Sequence, residues 1–300
     1  MITVQVPCST SNIGPGFDTL GLALNRYLLV TASPTEVQGA PVITIEGNGR
    51  DHIATDESNL VYKSMKTFAR STGKTLPAFS LHIANGVPAF GGLGSSGAAI
   101  AGGVFLANEL LGTRKTRDEL LEVAVKIEGH PDNVSAAIKG GFTINCYERG
   151  ALRCRSIKIT QALSVVACSP HFQLLTSQAR QILPQSVTLK EAVTNIENVS
   201  SLVAALICGD FSALRYATAD CLHEQYRATL IPGFAQVRQS ALAAGALSCN
   251  ISGAGPTVFC FATSNEEAIG QAMSREFAVH GLSSTVEVMS VENDGAVRLS

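Results

Sequence analysis

Apolar residues fall at every second position of ITVQVP at the start of the chain, the period of a strand with one buried face. YLLVTASPTEV, PVITIEG and FSLHIANGVP read as further strands, each closed by Pro, Gly or Asn turn residues. TDESNLVYKSMKTFARSTG changes to helical spacing, with polar residues at its start and Gly73 at its end. A helix is predicted from about Ser95 to Leu111, and another over TRDELLEVAVKIEG with Thr116 as its N-cap. GGFTINCYE and SVVACSP are predicted strands. In the second half, LKEAVTNIENVSSLVAALICGD, PGFAQVRQSALAAG and NEEAIGQAMSREFAVHG predict helices. NISGAGPTVFCFA reads as a strand or strand pair broken by a glycine turn, and STVEVMSV as a last strand. The alternation lacks the regular βα period of a barrel, so two-layer α/β sandwiches are expected. No Ser/Pro linker divides the halves; a boundary is expected near residues 150–170.

Composition narrows the class. Of 300 residues, 46% are hydrophobic and 15% charged, which excludes a disordered chain and allows a large core. A net charge of −2 with no Lys/Arg cluster leaves no basic field for nucleic acid. The start of the chain lacks the features of a signal peptide, and no run of 18 apolar residues occurs, so no membrane partner is expected and the cytoplasm is the expected compartment. Eight scattered cysteines, without C-x-x-C or zinc spacing, suggest a reducing environment.

Four stretches concentrate the residues that carry chemistry. PAFGGLGSSGAAIAGG, from Pro88 to Gly103, places glycines and two serines at a helix entrance, where free N–H groups and the helix dipole favour an anion. It is not a Walker A loop, because no lysine follows the serines. The same pattern also suits a tight glycine turn with a serine cap. STSNIGPGFDTLGLAL is a second glycine-proline loop, with Asn12 and Asp18. EGHPDNVSAAIKGG gathers Glu128, His130, Asp132 and Asn133 behind a helix. ISGAGPTVFCF interrupts a buried strand with Gly253 and Gly255, marking a bulge or a close backbone approach.

Taken in this order, the four stretches resemble the GHMP small-molecule kinases (galactokinase, homoserine kinase, mevalonate kinase, phosphomevalonate kinase), and most closely the homoserine kinase branch. VPCSTSNIGPGFDTLGLAL is similar to the opening of that branch, GLGSSGAA to the shared ATP-phosphate loop, and EGHPDNVSAAIKGGF to a segment of the homoserine branch. LHEQYRATLIPGF and ISGAGPTVF resemble its later motifs. The resemblance runs from Val6 to about Phe261. Two positions depart from it: Gly91 stands where Arg or Lys is frequent, and Gln225 where Pro is common.

The resemblance implies an α+β fold of two domains. Residues 1–160 would form an N-terminal sandwich like domain 2 of ribosomal protein S5, and residues 161–300 a ferredoxin-like sandwich, with ATP between them. Asn59 would contact adenine, and Pro88, Gly91, Gly92, Leu93, Gly94, Ser95, Ser96, Gly97 and Ala98 would form the ATP site. Ser96 and Glu128 would hold Mg²⁺, with Glu122 on the same helix as the alternative. Asn12, Asp18, His130, Asn133, Thr176, Arg180 and Arg227 would surround an amino-acid acceptor, Asp18 facing its ammonium and the two arginines its carboxylate. Asn133 and His130 would be catalytic by orienting the hydroxyl. An amide is no base, so the γ-phosphate or solvent would take the proton. The resemblance also suggests a homodimer. Two further readings stay open at the level of sequence: a GHMP kinase acting on another small alcohol, such as mevalonate or shikimate, and a nucleotide-binding sensor that has lost the chemistry.

Overall fold

The alternation at the start of the chain produces β1 (Ile2–Ser11), which pairs antiparallel with the long β2 (Leu20–Pro34) from Ile2 opposite Ala32 to Ser11 opposite Gly21. Their register shifts between Pro7 and Cys8, where proline has no N–H to give to the ladder. The computed structural model describes residues 1–37, 39–88 and 91–299, so Ala89 and Phe90 of the glycine-rich stretch lie outside the described residues.

β3 (Ile43–Gly47) runs parallel to β4 (Phe79–Asn85), which joins the second half of β2. The first half of β2 takes β5 (Phe142–Glu148), and β6 (Ala151–Ile157) closes that edge as a hairpin. α2 (Ser95–Leu111) and α4 (Asp132–Lys139) lie on β1 and β2, while α1 (Leu60–Ser71) and α3 (Arg117–Glu128) pack on α2. α1 starts later than its polar leader suggested: Asn59 is its N-cap, its Oδ1 accepting the Tyr62 N–H at 3.2 Å. Thr116 caps α3 through a reciprocal box with Glu119.

A second sheet has the order β10-β7-β9-β8, all antiparallel: β7 (Ser164–Pro170), β8 (Asn250–Ile251), β9 (Val258–Ala262) and β10 (Ser284–Ser290). Between β7 and β8 come α5 (Thr176–Gln181), α6 (Leu189–Cys208), α7 (Leu214–Ala217), α8 (Glu224–Arg227) and α9 (Phe234–Ala243). α10 (Glu266–Val279) packs on α9, β7 and β10. The expected division at residue 160 falls between β6 and β7, and the last strand, β11 (Val297–Arg298), returns to pair with β1.

The larger buried apolar cluster runs without a break from Val4 and Phe142 to Phe211, Phe259 and Met289, and so spans both sheets. A smaller cluster of Val166, Phe234, Ile251, Met273 and Phe277 fills the space between the second sheet and α9 and α10. A shared core of this kind holds the two sheets as one framework, with the loops of both converging on one cleft. Among the described residues no helix is long and apolar enough to cross a membrane, and all eight cysteines are free.

Candidate active site

The start of α2 forms one end of a cavity of about 250 Å³. Its N-cap, Gly94, adopts φ 66° and has no side chain to satisfy the first turn, whose earliest intrahelical bond runs from Ala98 N to Gly94 O at 2.8 Å. A side chain at Gly94 is excluded, because a Cβ there would lie 2.2 Å from Ser9 Oγ. A 17-residue apolar helix therefore presents uncapped N–H groups and the positive end of its dipole to the cavity. Beside it Ser96 Oγ donates to Glu128 Oε1 at 2.7 Å. Glu128 is the last residue of α3 and lines the cavity; Glu122 lines a different groove, between α3 and the β5–β6 hairpin.

At the other end the loop after β1 doubles back through Asn12, Ile13 and Asp18, all with positive φ. Asn12 is 3% exposed, and its amide is committed on both sides: Oδ1 accepts the Asp18 N–H at 3.0 Å, and Nδ2 donates to Gly253 O at 2.8 Å. Asn12 thus fixes where Asp18 stands. Asp18 receives a two-pronged pair from Arg180, at 3.0 and 2.9 Å, and this carboxylate holds the guanidinium above its ordinary range.

Arg227, on α8, is 2% exposed, yet among the described residues its guanidinium bonds to neutral groups: Nε donates to Ala179 O at 3.1 Å, and Nη1 to Gly253 O at 2.9 Å and to His223 Nδ1 at 3.4 Å. Burial, then the nearby Arg180 charge, pushes its pKa downward. The Phe17 ring lies under both guanidinium groups, 5.8 Å from Arg180 and 5.1 Å from Arg227, and stacks on His223 at 5.1 Å. Arg180 and Arg227 both face this end, and Asp18 is bonded to Arg180, so among the described residues no carboxylate is hydrogen-bonded to Arg227.

Between the two ends lies the start of α4. Asn133 is gripped from β1: its Oδ1 accepts from Ser9 Oγ at 2.9 Å and its Nδ2 donates to Ser11 Oγ at 3.0 Å. Asp132, 2% exposed, accepts the Asn133 N–H at 2.8 Å and sits 3.1 Å from His130 Nδ1, a contact that raises the His130 pKa. Thr176, the first residue of α5, completes the wall.

The cavity thus brings together Asn12, Asp18, Gly91, Gly92, Gly94, Ser95, Ser96, Glu128, His130, Asn133, Thr176, Arg180 and Arg227. Leu93, Gly97 and Ala98 are buried behind the loop, and Pro88 does not line the cavity. Asn59 lines a neighbouring cavity of about 330 Å³ with Leu28, Ile53, Leu60, Val61 and Ile83. Ser95 and Ser96 line both spaces, so the two cavities adjoin at the start of α2.

Comparison with known proteins agrees with this arrangement. Residues 59–141 match the model of the GHMP kinase N-terminal domain, and residues 202–279 that of the GHMP kinase C-terminal domain. The chain is 37% identical to the homoserine kinase of Clostridium beijerinckii over 99% of its own length and 98% of the relative's. The chain belongs to the GHMP kinase family, in its homoserine kinase branch.

The homoserine kinase of Carboxydothermus hydrogenoformans is 38% identical to this GHMP kinase, over 100% of the chain and 97% of the relative. The crystal structure of homoserine kinase from Cytophaga hutchinsonii superposes with a TM-score of 0.89 at 33% identity, covering 99% and 97% of the two chains. The mevalonate kinase of L. major, 16% identical with a TM-score of 0.73 over 97% and 96% of the chains, shares the fold. A kinase of this family takes its phosphoryl group from ATP.

The two departures from the family pattern have local partners in this GHMP kinase. Gly91 lines the cavity and its carbonyl accepts from Thr257 Oγ1 at 2.5 Å. Gln225 is exposed and donates to Cys221 O at 3.2 Å. Sequence reading missed the serines that grip Asn133 and the stacking role of Phe17. A serine in a buried strand carries no periodic signal, whereas Phe17 lies inside the NIGPGFD loop and was within reach. It also missed the buried acid that begins α8. Glu224 is 3% exposed, accepts from Asn250 Nδ2 and Ile251 N, and is pushed up to about 7 by burial.

Proposed function

We propose that the protein transfers the γ-phosphoryl group of ATP to the side-chain hydroxyl of L-homoserine, giving O-phospho-L-homoserine and ADP. One observation carries the reading: the buried, carboxylate-free Arg227 and the Asp18–Arg180 pair share one cavity with the uncapped start of α2. A zwitterion suits the first set, its carboxylate meeting the Arg227 guanidinium and its ammonium meeting Asp18. A triphosphate suits the second. The neighbouring apolar cavity at Asn59 would take the adenine.

The hydroxyl oxygen attacks the γ-phosphorus, the bond to the bridging oxygen breaks, and its electrons leave on ADP. Most of the catalysis is positioning and charge neutralisation. Asn133, with its amide already fixed by Ser9 and Ser11, orients the hydroxyl together with His130. The hydroxyl proton passes to the transferred phosphoryl group or to solvent. Ser96 and Glu128 would hold Mg²⁺: their hydroxyl and carboxylate oxygens adjoin at the helix start, a hard-oxygen pair that phosphates and water complete. Bound there, Mg²⁺ supplies neutralisation of the phosphate charge.

By the same reading the enzyme works in the cytoplasm, in threonine biosynthesis, as a homodimer. The row Leu189, Val193, Ile196 and Ile207, exposed along α6, is the apolar surface that supports a second copy, and mass in solution tests it. The activity is tested by ADP release with ATP and Mg²⁺ against L-homoserine, mevalonate, shikimate, L-serine and L-threonine. Turnover with homoserine alone is expected. Turnover with another alcohol would keep the phosphate end and discard the acceptor assignments, and ATP binding without any turnover would favour a sensor.

A further inference from the structure

Two buried chains of hydroxyl groups run behind the phosphate loop. Ser252 Oγ donates to Gly92 O at 2.5 Å, and Thr257 Oγ1 donates to Gly91 O at 2.5 Å. Each hydroxyl has a single proton, so the remaining contacts have a fixed direction. Thr10 Oγ1 must donate to Ser252 Oγ at 2.8 Å, and Ser169 Oγ to Thr257 Oγ1 at 2.7 Å. Thr10 belongs to β1 of the first sheet and Ser169 to β7 of the second. All four side chains are at least 97% buried, and none lines the cavity, whereas Gly91 and Gly92 do.

A trans peptide points its C=O and the next residue's N–H in opposite directions. Holding the Gly91 and Gly92 carbonyls toward Thr257 and Ser252 therefore sends the N–H groups of Gly92 and Leu93 the other way. Gly92 tolerates no side chain in this position: at φ 87° its Cβ would lie 2.9 Å from both Ser252 O and Thr257 Cβ. We propose that Ser252 and Thr257, relayed by Thr10 and Ser169, are positioning residues for the donor phosphates, fixing the loop with its N–H groups aimed into the cavity before ATP arrives. They touch neither substrate. They act by sparing the loop the cost of ordering its peptides when the phosphates bind.

The inference rests on ATP occupying this end of the cavity, and the test separates the two claims. Thr257→Val keeps the shape and removes the hydroxyl; Thr257→Ser restores it. Steady-state KM values for ATP and L-homoserine and the inhibition constant of adenosine, which lacks phosphates, are measured for both variants and for Ser252→Ala. Thr257→Val is expected to raise the ATP KM about tenfold, with the adenosine and homoserine constants unchanged and Thr257→Ser close to the parent. Ser252→Ala is expected to act in the same direction, and carries the test should Thr257→Val fail to fold. Equal weakening of adenosine and ATP, or an unchanged ATP KM, would overturn the positioning role. An unmodified enzyme that binds no ATP would instead overturn the reading of the site.

Discussion

At the end of the cavity proposed for phosphate the groups on offer are peptide N–H groups, set by glycines and held from behind by uncharged hydroxyls. At the acceptor end they are long side chains: Asp18 and Arg180 already bonded to each other, and Arg227 held by two carbonyls. In the proposed function both ends bind anions, but they divide the cost differently. The backbone end has little left to order, and in that reading it would recognise phosphate wherever that arrives. The side-chain end must exchange its internal ion pair for the two charges of the ligand, so only a molecule that supplies both recovers what is lost. A rigid end therefore supplies affinity for a common group, and a self-paired end supplies selectivity.

The largest effect should come from the point where phosphate meets acid. Glu128→Gln is expected to lower kcat by about 10²-fold or more, with both KM values little changed, because charge neutralisation matters most in the transition state. Steady-state kinetics check this, and a rise in homoserine KM with unchanged kcat would move Glu128 to the acceptor end. Next comes the acceptor pair. Asp18→Asn is expected to raise the homoserine KM about 30- to 100-fold with ATP binding intact, since the ammonium loses its ionic partner and Arg180 its restraint. Loss of ATP affinity in that variant would show that the two ends are not separate.

A smaller effect is expected at the middle of the site. Asn133→Asp should lower kcat about tenfold, because a carboxylate beside the phosphates repels them and cannot donate to Ser11. A faster enzyme with a new ionisation in its pH–rate profile would mean that a base was missing after all. The mildest test concerns stability. Glu224 begins α8, the short helix that ends at Arg227, and is pushed up from 4.5 to about 7 by burial. Between those values the folded chain binds more protons than the unfolded one, so stability falls as pH rises from about 5 to 7, by about 3 kcal/mol at most. Glu224→Gln should flatten this slope in denaturant unfolding, though at lower overall stability, since one of its two acceptor contacts is lost. The phosphate end, tied by Ser252 and Thr257, has no titrating group among those ties and should show no matching pH dependence.

How far the sequence revealed this site differs between the two ends in the same way. Glycine and serine runs before a helix announce a backbone site directly, and α2 begins and ends where its pattern predicts, at Ser95 and Leu111. Thr116 likewise caps α3 as expected. Asp18, Arg180 and Arg227 were found through family resemblance, because no local spacing joins residues 162 positions apart. The hydroxyl pins lie deeper still. Ser252 and Gly92 are 160 positions apart, and a buried Ser or Thr beside a glycine turn looks the same whether or not it holds a loop. Among the elements, β6 was missed because ALRCRSI is a half-exposed edge strand with two arginines, and α4 because its eight residues start inside a cluster that reads as a polar cap.

The measurement that tests the two-ended account most directly is calorimetric. With a non-hydrolysable ATP analogue in place, the enzyme is titrated with L-homoserine, with 4-hydroxybutyrate, which lacks the ammonium, and with 3-aminopropanol, which lacks the carboxylate. Only the zwitterion should bind well, each truncated ligand losing about 100-fold in affinity, because each strands one member of the Asp18–Arg180 pair. Equal affinity for 4-hydroxybutyrate and homoserine would contradict the account, since Asp18 would then have no part in choosing the acceptor.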